Sequence, residues 1–563
     1  MGADIVELAE RRTGKGGRAQ LARQMMTIPA KRRLEMILER PDARSVVAAL
    51  DANDFFHTLQ EIGPDDSLPL LALASLEQVN HVFDIEWWRK DALEPAKALA
   101  WLERLLRAGG TVLLEWLSNA DFELLVSLFK QWITVDTAPE DIDMVEAVES
   151  LPPTTLDDHY FWESRYPQFD DLITQVLSVI FEANYGFFKE LMNSVIYAQP
   201  SEVEESAYRF HRARLEEHSI PDFYDALQIY KAIGPGEFTE RALLAQPDAE
   251  RPTPSFALAL LPAQDLFAGT VAGIKDPDLL ETLQAETAAL ANKVIVADSL
   301  DPDDARALRR GVEKTLAYIN LGLELRAGAS EQRAARMVRD NFLEHLFRLA
   351  QAEVAKVRGR LSATVHNGWL KSCPGGIKYL DGEWYDAAEE LLAATPKISR
   401  SGPEGGAISY DFFRTPSDIA AAGHIVDIIV TGAGELYRLL AAGAGEPGRG
   451  ASPGLQAQGE EVTLGMAILT AAANLLVHGE WNPKPLPEGS WPQIFPLVQP
   501  QAIGEAVREW IERFVTGEKR KSFAKAYCEP ILRDYASETS GFSPQNPPKP
   551  QLVRFFLFKD LMA

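Results

Sequence analysis

The sequence predicts an all-α fold in which helical hairpins stack as a short solenoid, followed by a further helical region at the C-terminal end. Three observations predict it. Apolar residues recur at helical spacing through most of the chain, alternating strand patterns of four or more residues are scarce, and a short Asp-Phe segment repeats. Because each hairpin buries its apolar face against its neighbour, such repeats stack into an array.

The clearest predicted helix follows residue 94. Asp91 and Glu94 have the spacing of a capping box, and Pro95 suits a first helical turn, where no intrahelical amide bond is lost. Gly109-Gly110 predicts its end. The segment 120–133 repeats the same apolar stripe. In the first helix, the apolar residues on one face are Ala98, Trp101, Leu102, Leu105 and Leu106.

Three Asp-Phe segments mark the predicted repeat, at Asp54, Asp121 and Asp222. In each, an aliphatic residue stands four positions after the Phe. An aspartate at a helix start accepts hydrogen bonds from free amides and suits the positive end of the helix dipole. We therefore predict that each aspartate begins a helix and that its Phe anchors the first buried turn.

Strand-like and strongly apolar segments are few. The alternating patterns at 375–386 and 406–413 predict a small β hairpin or ordered loops. The uncharged run at 462–477 is shorter than the ~20 residues of a membrane span and contains polar residues, so it predicts a buried helix. The apolar tail at 552–563 is predicted to dock back onto the fold.

Composition breaks divide the chain into four predicted regions. Residues 1–30 form a flexible basic arm, since the first 40 residues carry nine Lys or Arg and only five Asp or Glu. An N-terminal helical-repeat domain spans 31–155, a middle helical domain 156–372, and a C-terminal helical domain 373–563. Inside the last domain, the Gly- and Pro-rich segment 441–461 predicts a flexible loop.

Charge and cysteine content narrow the class of protein. The chain has 563 residues and a formal net charge of −26, which disfavours a nucleic-acid partner because phosphate binding needs a basic surface. The basic arm predicts a solvated tail, with an anionic partner as the alternative. Two distant cysteines without CxxC spacing predict reduced thiols and a cytoplasmic location. We predict no signal peptide and no transmembrane segment, and the oligomeric state stays open.

The motifs of common catalytic and cofactor sites do not occur. The segment "TGKGGRA" at 13–19 lacks the spacing of a phosphate-binding loop, and the chain has no GxSxG, HExxH or EF-hand pattern. We therefore predict no catalytic residue, no cofactor and no metal site. A few possible metal ligands share helical spacing and are interpreted as solvated helix faces: Asp54, His57 and Glu61, and His211 with His218.

A ligand pocket, if the chain has one, is predicted near two polar and aromatic segments, 364–376 and 477–489. His366 and Cys373 are seven positions apart, about 10 Å along a helix, which is too far for direct proton transfer. The alternative interpretation is a helix end with a buried cysteine before a Pro-Gly-Gly stop. The candidate pocket residues are His366, Asn367, Trp369, Cys373, His478 and Trp481.

Adjacent tryptophans, Trp87 and Trp88, stand in a segment whose charges are neutral to acidic. That balance disfavours stacking on nucleic acid, which needs interleaved basic residues. Phe161 and Trp162 form a comparable aromatic pair after the second helical unit. The recurrence predicts that all four residues are structural wedges at junctions between helices.

Long stretches of the chain resemble a bacterial protein family of unknown function with long, cytosolic, helical members. They are residues 48–88, 97–110, 118–135 and 212–235. The resemblance implies a helical fold and brings no activity, substrate or catalytic residue. A shorter segment, "APEDIDMVEAVESLPPTTLDD" at 138–158, is similar to helical-hairpin repeats in the cytosolic N-terminal domain of MgtE magnesium transporters and in flagellar FliG proteins, which implies fold alone.

These observations predict a non-enzymatic scaffold or regulatory adaptor that binds another protein through a concave helical surface. The first alternative is an enzyme or small-ligand sensor with its pocket at 364–376 and 477–489. The second is a regulator that responds to divalent cations, suggested by the acidity and by the transporter-like repeat.

Overall fold

A computed structural model describes the chain at residues 21–138, 151–233, 252–373, 375–400, 409–442, 462–543 and 545–559. Helices make up most of these residues and the strands are few and short, which confirms the all-α prediction with a small β component. Parts of several predicted features lie outside the described residues: 1–20 of the basic arm, 139–150 of the transporter-like segment, 374 of the first pocket segment, 406–408 of the second strand candidate, 443–461 of the loop and 560–563 of the apolar tail.

The chain forms two compact units, Met1–Arg348 and Leu349–Ala563. The helices of the first unit are α1 Ala30–Leu38, α2 Ala43–Val47, α3 Ala52–Ile62, α4 Leu68–Leu71, α5 Leu76–Glu86, α6 Pro95–Ala108, α7 Gly110–Leu117, α8 Phe122–Trp132, α9 Asp170–Ala183, α10 Tyr185–Tyr197, α11 Pro200–Glu217, α12 Phe223–Ala226, α13 Phe256–Ala259, α14 Leu266–Ala272, α15 Pro277–Ala297, α16 Ala305–Ala327 and α17 Glu331–Asp340. The boundary between the units falls in α18, Leu343–Asn367. The second unit adds α19 Gly382–Leu392, α20 Pro416–Asp427, α21 Gly434–Ala441, α22 Leu464–His478, α23 Trp491–Ile494, α24 Pro500–Phe514 and α25 Glu518–Thr539.

Short antiparallel sheets interrupt the helices. The strands are β1 Trp88–Arg89, β2 Ala92–Leu93, β3 Ile133–Thr137, β4 Thr154–Thr155, β5 Tyr160–Ser164, β6 Ile398–Arg400 and β7 Ser409–Asp411. β1 pairs with β2 and β6 with β7, while β5 lies between β3 and β4. In the β3–β5 pair, Ile133 is opposite Ser164 and Thr137 is opposite Tyr160. The sequence does not predict this sheet, because its strands are brief and β3 and β5 are distant in the chain.

The structure corrects the first strand candidate, 375–386. There the chain forms a 3-10 turn, Gly376–Tyr379, and begins α19 at Gly382. The buried residues of α19 recur at helical spacing beyond the segment in which alternation suggested a strand, and that longer pattern decides its conformation. The second candidate is a strand in part, since β7 pairs with β6. The buried residues of α19 are Trp384, Ala387, Ala388 and Leu391.

The predicted helix starts are correct at two of the three repeated aspartates. Asp121 and Asp222 stand immediately before α8 and α12. Asp54 lies inside α3, because Asp51 caps that helix three residues earlier by accepting a hydrogen bond from the Asn53 amide at 2.8 Å. The position of a motif within the first turn therefore depends on which nearby side chain reaches the free amides.

The predicted capping box before α6 does not form. Glu94 precedes the helix and Pro95 begins it, yet the Glu94 side chain makes no capping hydrogen bond, and Asp91 stands in the turn between β1 and β2. The predicted helix end is correct: Gly109 follows α6 with a φ of +141°, a conformation that residues with a side chain rarely adopt.

Tryptophan side chains form the centre of the core in the first unit. Phe83 stacks on Trp87 with 3.9 Å between ring centroids, and Trp116 meets both rings edge-on. Offset stacks and edge contacts are the favourable aromatic geometries. The fully buried tryptophans of this unit are Trp87, Trp101, Trp116, Trp132 and Trp162.

The four aromatic residues predicted as junction wedges have different surroundings. Trp87 follows α5 and is fully buried, whereas Trp88 lies half-buried in β1 and stacks on His211 at 4.5 Å. Phe161 and Trp162 are buried neighbours in β5. The second pair therefore belongs to a sheet rather than to a helix end, and a wedge role for the four residues stays a prediction.

The apolar segments of the second unit are packed inside it. The run at 462–477 forms α22 after residue 463, and most of that helix is buried. The C-terminal tail docks as predicted: Leu486 and Phe558 form a parallel bridge, and the Trp491 ring lies 5.2 Å from that of Phe558.

Within the described residues, the helical run Pro416–Ala441 is long and apolar enough to cross a membrane, judged by length and composition alone. The run contains a π-helical segment, Ile428–Ala433. Gly432 in that segment lies so close to the backbone of Phe523 that an added Cβ would be 2.6 Å from it. This face of the run is therefore packed against α25 of the same unit.

Candidate functional site

A cavity of about 450 Å³ opens in the first unit between α8, β3, α10 and the start of α11. This volume is typical of a site for a small molecule. Polar and apolar side chains both line it: Ser127, Lys130, Gln131, Ile133, Thr134, Val135, Arg165, Val195, Ile196, Pro200 and Glu204. We take this cavity as the candidate site and refer to it below as the α8 cavity.

Helix α8 contributes three polar residues to the cavity, Ser127, Lys130 and Gln131. They stand at i, i+3 and i+4, so they share one helix face. The Ser127 hydroxyl is buried and has no hydrogen-bond partner among the described residues. Because a buried hydroxyl without a partner costs free energy, this group is able to gain a hydrogen bond from a bound ligand.

Lys130 is held at the end of a neighbouring helix. Its Nζ donates to the Val195 carbonyl at 2.6 Å, in the last turn of α10, where carbonyls lack intrahelical partners. Burial lowers the Lys130 pKa, and the positive charge of Arg165 lowers it further. The positive charges of Lys130 and Arg165 therefore repel each other in this cavity.

Arg165 reaches the cavity because β5 pairs with β3. Its amide donates to the Trp132 carbonyl at 2.7 Å, directly after the last residue pair of the sheet. Its Nε donates to the Thr134 hydroxyl at 3.3 Å. In the described part of the chain, no carboxylate lies within 4.0 Å of the Lys130 or the Arg165 charge.

The first residue of α11, Pro200, also lines the cavity. This helix has 18 residues, and no side chain caps its start. Pro200 has no amide hydrogen, but the amides of Ser201 and Glu202 lack intrahelical partners and carry the positive end of the helix dipole, which favours an anion. Glu204, one turn further on, is exposed and places a single negative charge at the cavity.

Together these groups form a site for an anion. Lys130 and Arg165 supply positive charge without a carboxylate partner in the described residues, Ser127 and Gln131 supply neutral hydrogen-bonding groups, and the helix start adds a favourable dipole. The sequence contains a signal for half of this site: the polar residues of "SLFKQ" recur on one face of an otherwise apolar helix. Arg165 has no such signal, since only the β3–β5 pairing places it there.

A second group of polar residues is buried elsewhere in the first unit. The Asp54 carboxylate accepts hydrogen bonds from the amides of Ser255, at 2.8 Å, and Phe256, at 2.7 Å, and so caps α13. Burial raises the Asp54 pKa to about 6 although these bonds oppose it. His57 stacks on Phe256 at 3.9 Å, and burial lowers its pKa to about 3. The interpretation of a solvated face is wrong for Asp54 and His57, and right for exposed Glu61.

The solvated-face interpretation is also wrong for His211, which is buried with its Nδ1 3.4 Å from Asp84. His218 is half-buried, and its ring lies 4.4 Å from that of buried His81. Neither ring nitrogen of His81 has a hydrogen-bond partner among the described residues. Charged neighbours in the sequence suggested exposure, but α5 covers this face of α11. No group of three His, Cys, Asp or Glu is placed to hold a metal ion in the described ranges.

Glu86 belongs to a third polar cluster in this unit. Its carboxylate is buried and accepts hydrogen bonds from Gln60 at 2.5 Å and from the Trp101 indole at 3.3 Å. Lys97 lies between Glu86, at 2.7 Å, and Asp303, at 2.8 Å. Burial raises the pKa of Glu86 to about 7, while the charge of Lys97 opposes the rise.

In the first of the segments predicted to line a pocket, His366 and Asn367 are exposed at the end of α18. Trp369 is half-buried, with the Tyr437 ring 5.4 Å away. Cys373 is buried, its Sγ donates to the Trp369 carbonyl at 3.4 Å, and burial raises its pKa to about 12. This thiol is therefore not activated as a nucleophile.

The second predicted segment, 477–489, contains the other two candidate residues, His478 and Trp481. His478 is exposed at the end of α22, and Trp481 stacks on Trp510 with 4.3 Å between ring centroids. No hydrogen bond, ion pair or ring contact joins His478 or Trp481 to the candidate residues of 366–373 among the described residues. That these six residues serve a ligand stays a prediction.

The fold and the site define an all-α protein of two helical units with a cationic cavity in the first. The chain belongs to DUF6178, a family of unknown function whose model matches residues 10–559. This confirms the resemblance to a family of unknown function. No curated protein and no solved structure matches the chain.

Proposed function

We propose that the protein is a ligand-binding regulatory protein whose α8 cavity takes a small organic anion. The observation that carries the proposal is the presence of Lys130 and Arg165 in one cavity without a carboxylate within 4.0 Å among the described residues. Both side chains line the same cavity as the buried Ser127 hydroxyl, which has no hydrogen-bond partner among the described residues. A bound anion would supply the missing negative charge and the missing partner of Ser127.

Other features support ligand binding rather than catalysis at this cavity. Its lining has no histidine and no cysteine, so neither a Ser–His nor a Cys–His pair is formed among its lining residues. The two cysteines, Cys373 and Cys528, are buried free thiols, which supports a reducing compartment such as the cytoplasm.

A second candidate function is the protein-binding adaptor predicted from the sequence. Exposed aromatic side chains in the first unit favour it: Tyr197 and Tyr224 are each 74% exposed and Phe210 is 48% exposed. Aromatic residues are enriched at protein interfaces, where one ring buries a large area. An adaptor whose partner binding depends on a small anion would combine the two functions.

Titration calorimetry of the full chain with glutarate, L-glutamate and inorganic phosphate tests the anion proposal. We expect binding of at least one anion with a stoichiometry of one, and a loss of about tenfold or more in affinity for Lys130→Gln and for Arg165→Gln, since each removes a charge-assisted hydrogen bond.

Matched controls are Lys275→Gln and Arg336→Gln, which remove exposed charges outside the cavity in the same unit. Both should bind as the wild type does. Absence of binding by all three anions, or equal affinity in the cavity variants and the controls, would contradict the proposal.

A further inference from the structure

The α8 cavity is lined by more positive than negative side chains, and their number indicates which charges a ligand carries. Two cations and one carboxylate line it: Lys130, Arg165 and Glu204. Like its two cations, Glu204 has no ion-pair partner within 4.0 Å in the described part of the chain. A ligand that neutralises all three groups carries two negative charges and one positive charge.

Counted over the described residues, both cations keep donors that no partner uses. Lys130 uses one of its three N–H groups on the Val195 carbonyl, and Arg165 uses its Nε–H on Thr134. With respect to the described part of the chain, the terminal nitrogens of Arg165 are therefore available for a bidentate carboxylate, and two N–H groups of Lys130 for another acceptor. A ligand with two carboxylates is able to accept hydrogen bonds from both cations, one carboxylate at each.

Glu204 has the opposite charge to Lys130 and Arg165. It lies on α11, four residues after Pro200, whereas Lys130 lies on α8. Residues four apart share a helix face, so Glu204 lines the cavity beside Pro200, where its carboxylate is suited to accept a charge-assisted hydrogen bond from an ammonium group. The apolar part of the lining, which includes Ile133, Val135 and Val195, is suited to the short methylene chain between such groups.

We infer that the α8 cavity recognises an acidic α-amino acid, with its carboxylates on Lys130 and Arg165 and its ammonium group on Glu204. This inference rests on the proposed function and narrows its ligand class. It predicts that the cavity binds an amino dicarboxylate more tightly than a dicarboxylate of the same length that lacks the ammonium group. The volume of about 450 Å³ accommodates a molecule of this size.

Calorimetry with L-glutamate and with glutarate, which lacks only the amino group, tests the inference. We expect the wild type to bind L-glutamate about tenfold more tightly than glutarate, the usual scale of a charge-assisted hydrogen bond. Glu204→Gln should lower affinity for L-glutamate, leave that for glutarate equal or stronger, and so remove the preference. Glu205→Gln, which removes the next, exposed carboxylate outside the cavity lining, should keep it.

The outcomes separate this inference from the proposed function. Binding of glutarate as tightly as L-glutamate, with both weakened by Lys130→Gln, overturns the amino-acid inference and leaves the anion site standing. A preference for L-glutamate that survives in Glu204→Gln overturns it as well. Absence of binding by every anion overturns both. Circular dichroism of the Glu204 variant checks that its fold is intact.

Discussion

Asp54 and Asp121 begin the same Asp-Phe motif, and their carboxylates have different partners in the fold. Asp54 accepts hydrogen bonds from amides 201 and 202 residues away, whereas Asp121 binds Arg214, 93 residues away. Arg214 also binds Asp84, with both contacts at 2.7 Å. The motif places its carboxylate either directly before a helix, as at Asp121, or in the first turn, as at Asp54, and the segment packed against it decides what that carboxylate binds.

Glu86 should make the stability of the protein depend on pH, because burial raises the pKa of its carboxyl group from 4.5 to about 7. Between these pH values the folded protein keeps the Glu86 proton that the unfolded chain releases. The contribution of Glu86 to stability is therefore present below pH 4.5 and is lost as the pH rises toward 7. One pKa unit corresponds to about 1.4 kcal/mol, so the loss is on the order of 3 kcal/mol.

Urea denaturation from pH 4.5 to pH 7.5 measures this effect. Glu86→Gln should show a smaller fall in the free energy of unfolding over that range than the wild type, because glutamine does not ionise. Glu103→Gln, an exposed position on α6, should follow the wild type. The same pH dependence in Glu86→Gln and the wild type would show that Glu86 does not titrate in this range.

Helix α8 and strand β3 are adjacent in the chain, but only the helix has a packing arrangement that its own sequence predicts. The apolar stripe of α8 predicts its buried face, because a helix places residues three and four apart together. β3 has only five residues and its partner β5 begins at residue 160, so neither its pairing nor the position of Arg165 has a local signal. The cationic cavity depends on this pairing.

Gly322 sets how closely α16 approaches the start of α18. A Cβ added there would lie 2.0 Å from the carbonyl oxygen of Leu346, and the Tyr318 and Phe347 rings are 5.2 Å apart beside it. Backbone is unable to move away as a flexible side chain does, so Gly322→Ala should lower the free energy of unfolding by about 1–3 kcal/mol or more.

Gly269→Ala in α14 is the matched control, because a Cβ there meets no atom within 4 Å. It should leave stability unchanged or raise it by up to about 1 kcal/mol, since alanine favours the helix over glycine. Urea denaturation of both variants gives the comparison. A Gly322→Ala protein as stable as the wild type would mean that α16 and α18 separate without cost.

Over the molecule as a whole, the net negative charge and the exposed aromatic rings have opposite effects on association with a partner. A net charge of −26 disfavours association with other anions over most of the surface. The exposed rings of Tyr197, Phe210 and Tyr224 provide apolar area for a partner in spite of that charge. The adaptor candidate therefore depends on a small number of aromatic residues.

A pull-down from a lysate of the source organism tests the adaptor candidate. The wild type should retain a stoichiometric partner, and the triple variant Tyr197→Ser, Phe210→Ser, Tyr224→Ser should lose it, because aromatic anchors dominate interface energies. Leu552→Ser, which replaces a side chain 65% exposed in the second unit, should retain it. Equal recovery by the triple variant would exclude these rings as the contact.

Apolar periodicity and chain breaks are local properties, so the helical class, the buried α22, the docking tail and the apolar stripe of α8 are predictable from the sequence. Which charges are buried and which residues contact each other depends instead on tertiary packing. Asp54, His57 and His211 are covered by segments distant in the chain. No hydrogen bond, ion pair or ring contact joins the predicted pocket residues of 366–373 to His478 or Trp481 among the described residues. The α8 cavity exists because β5 pairs with β3 and brings Arg165 to Lys130. Such pairings depend on the summed packing of many distant side chains, and no single segment encodes that sum.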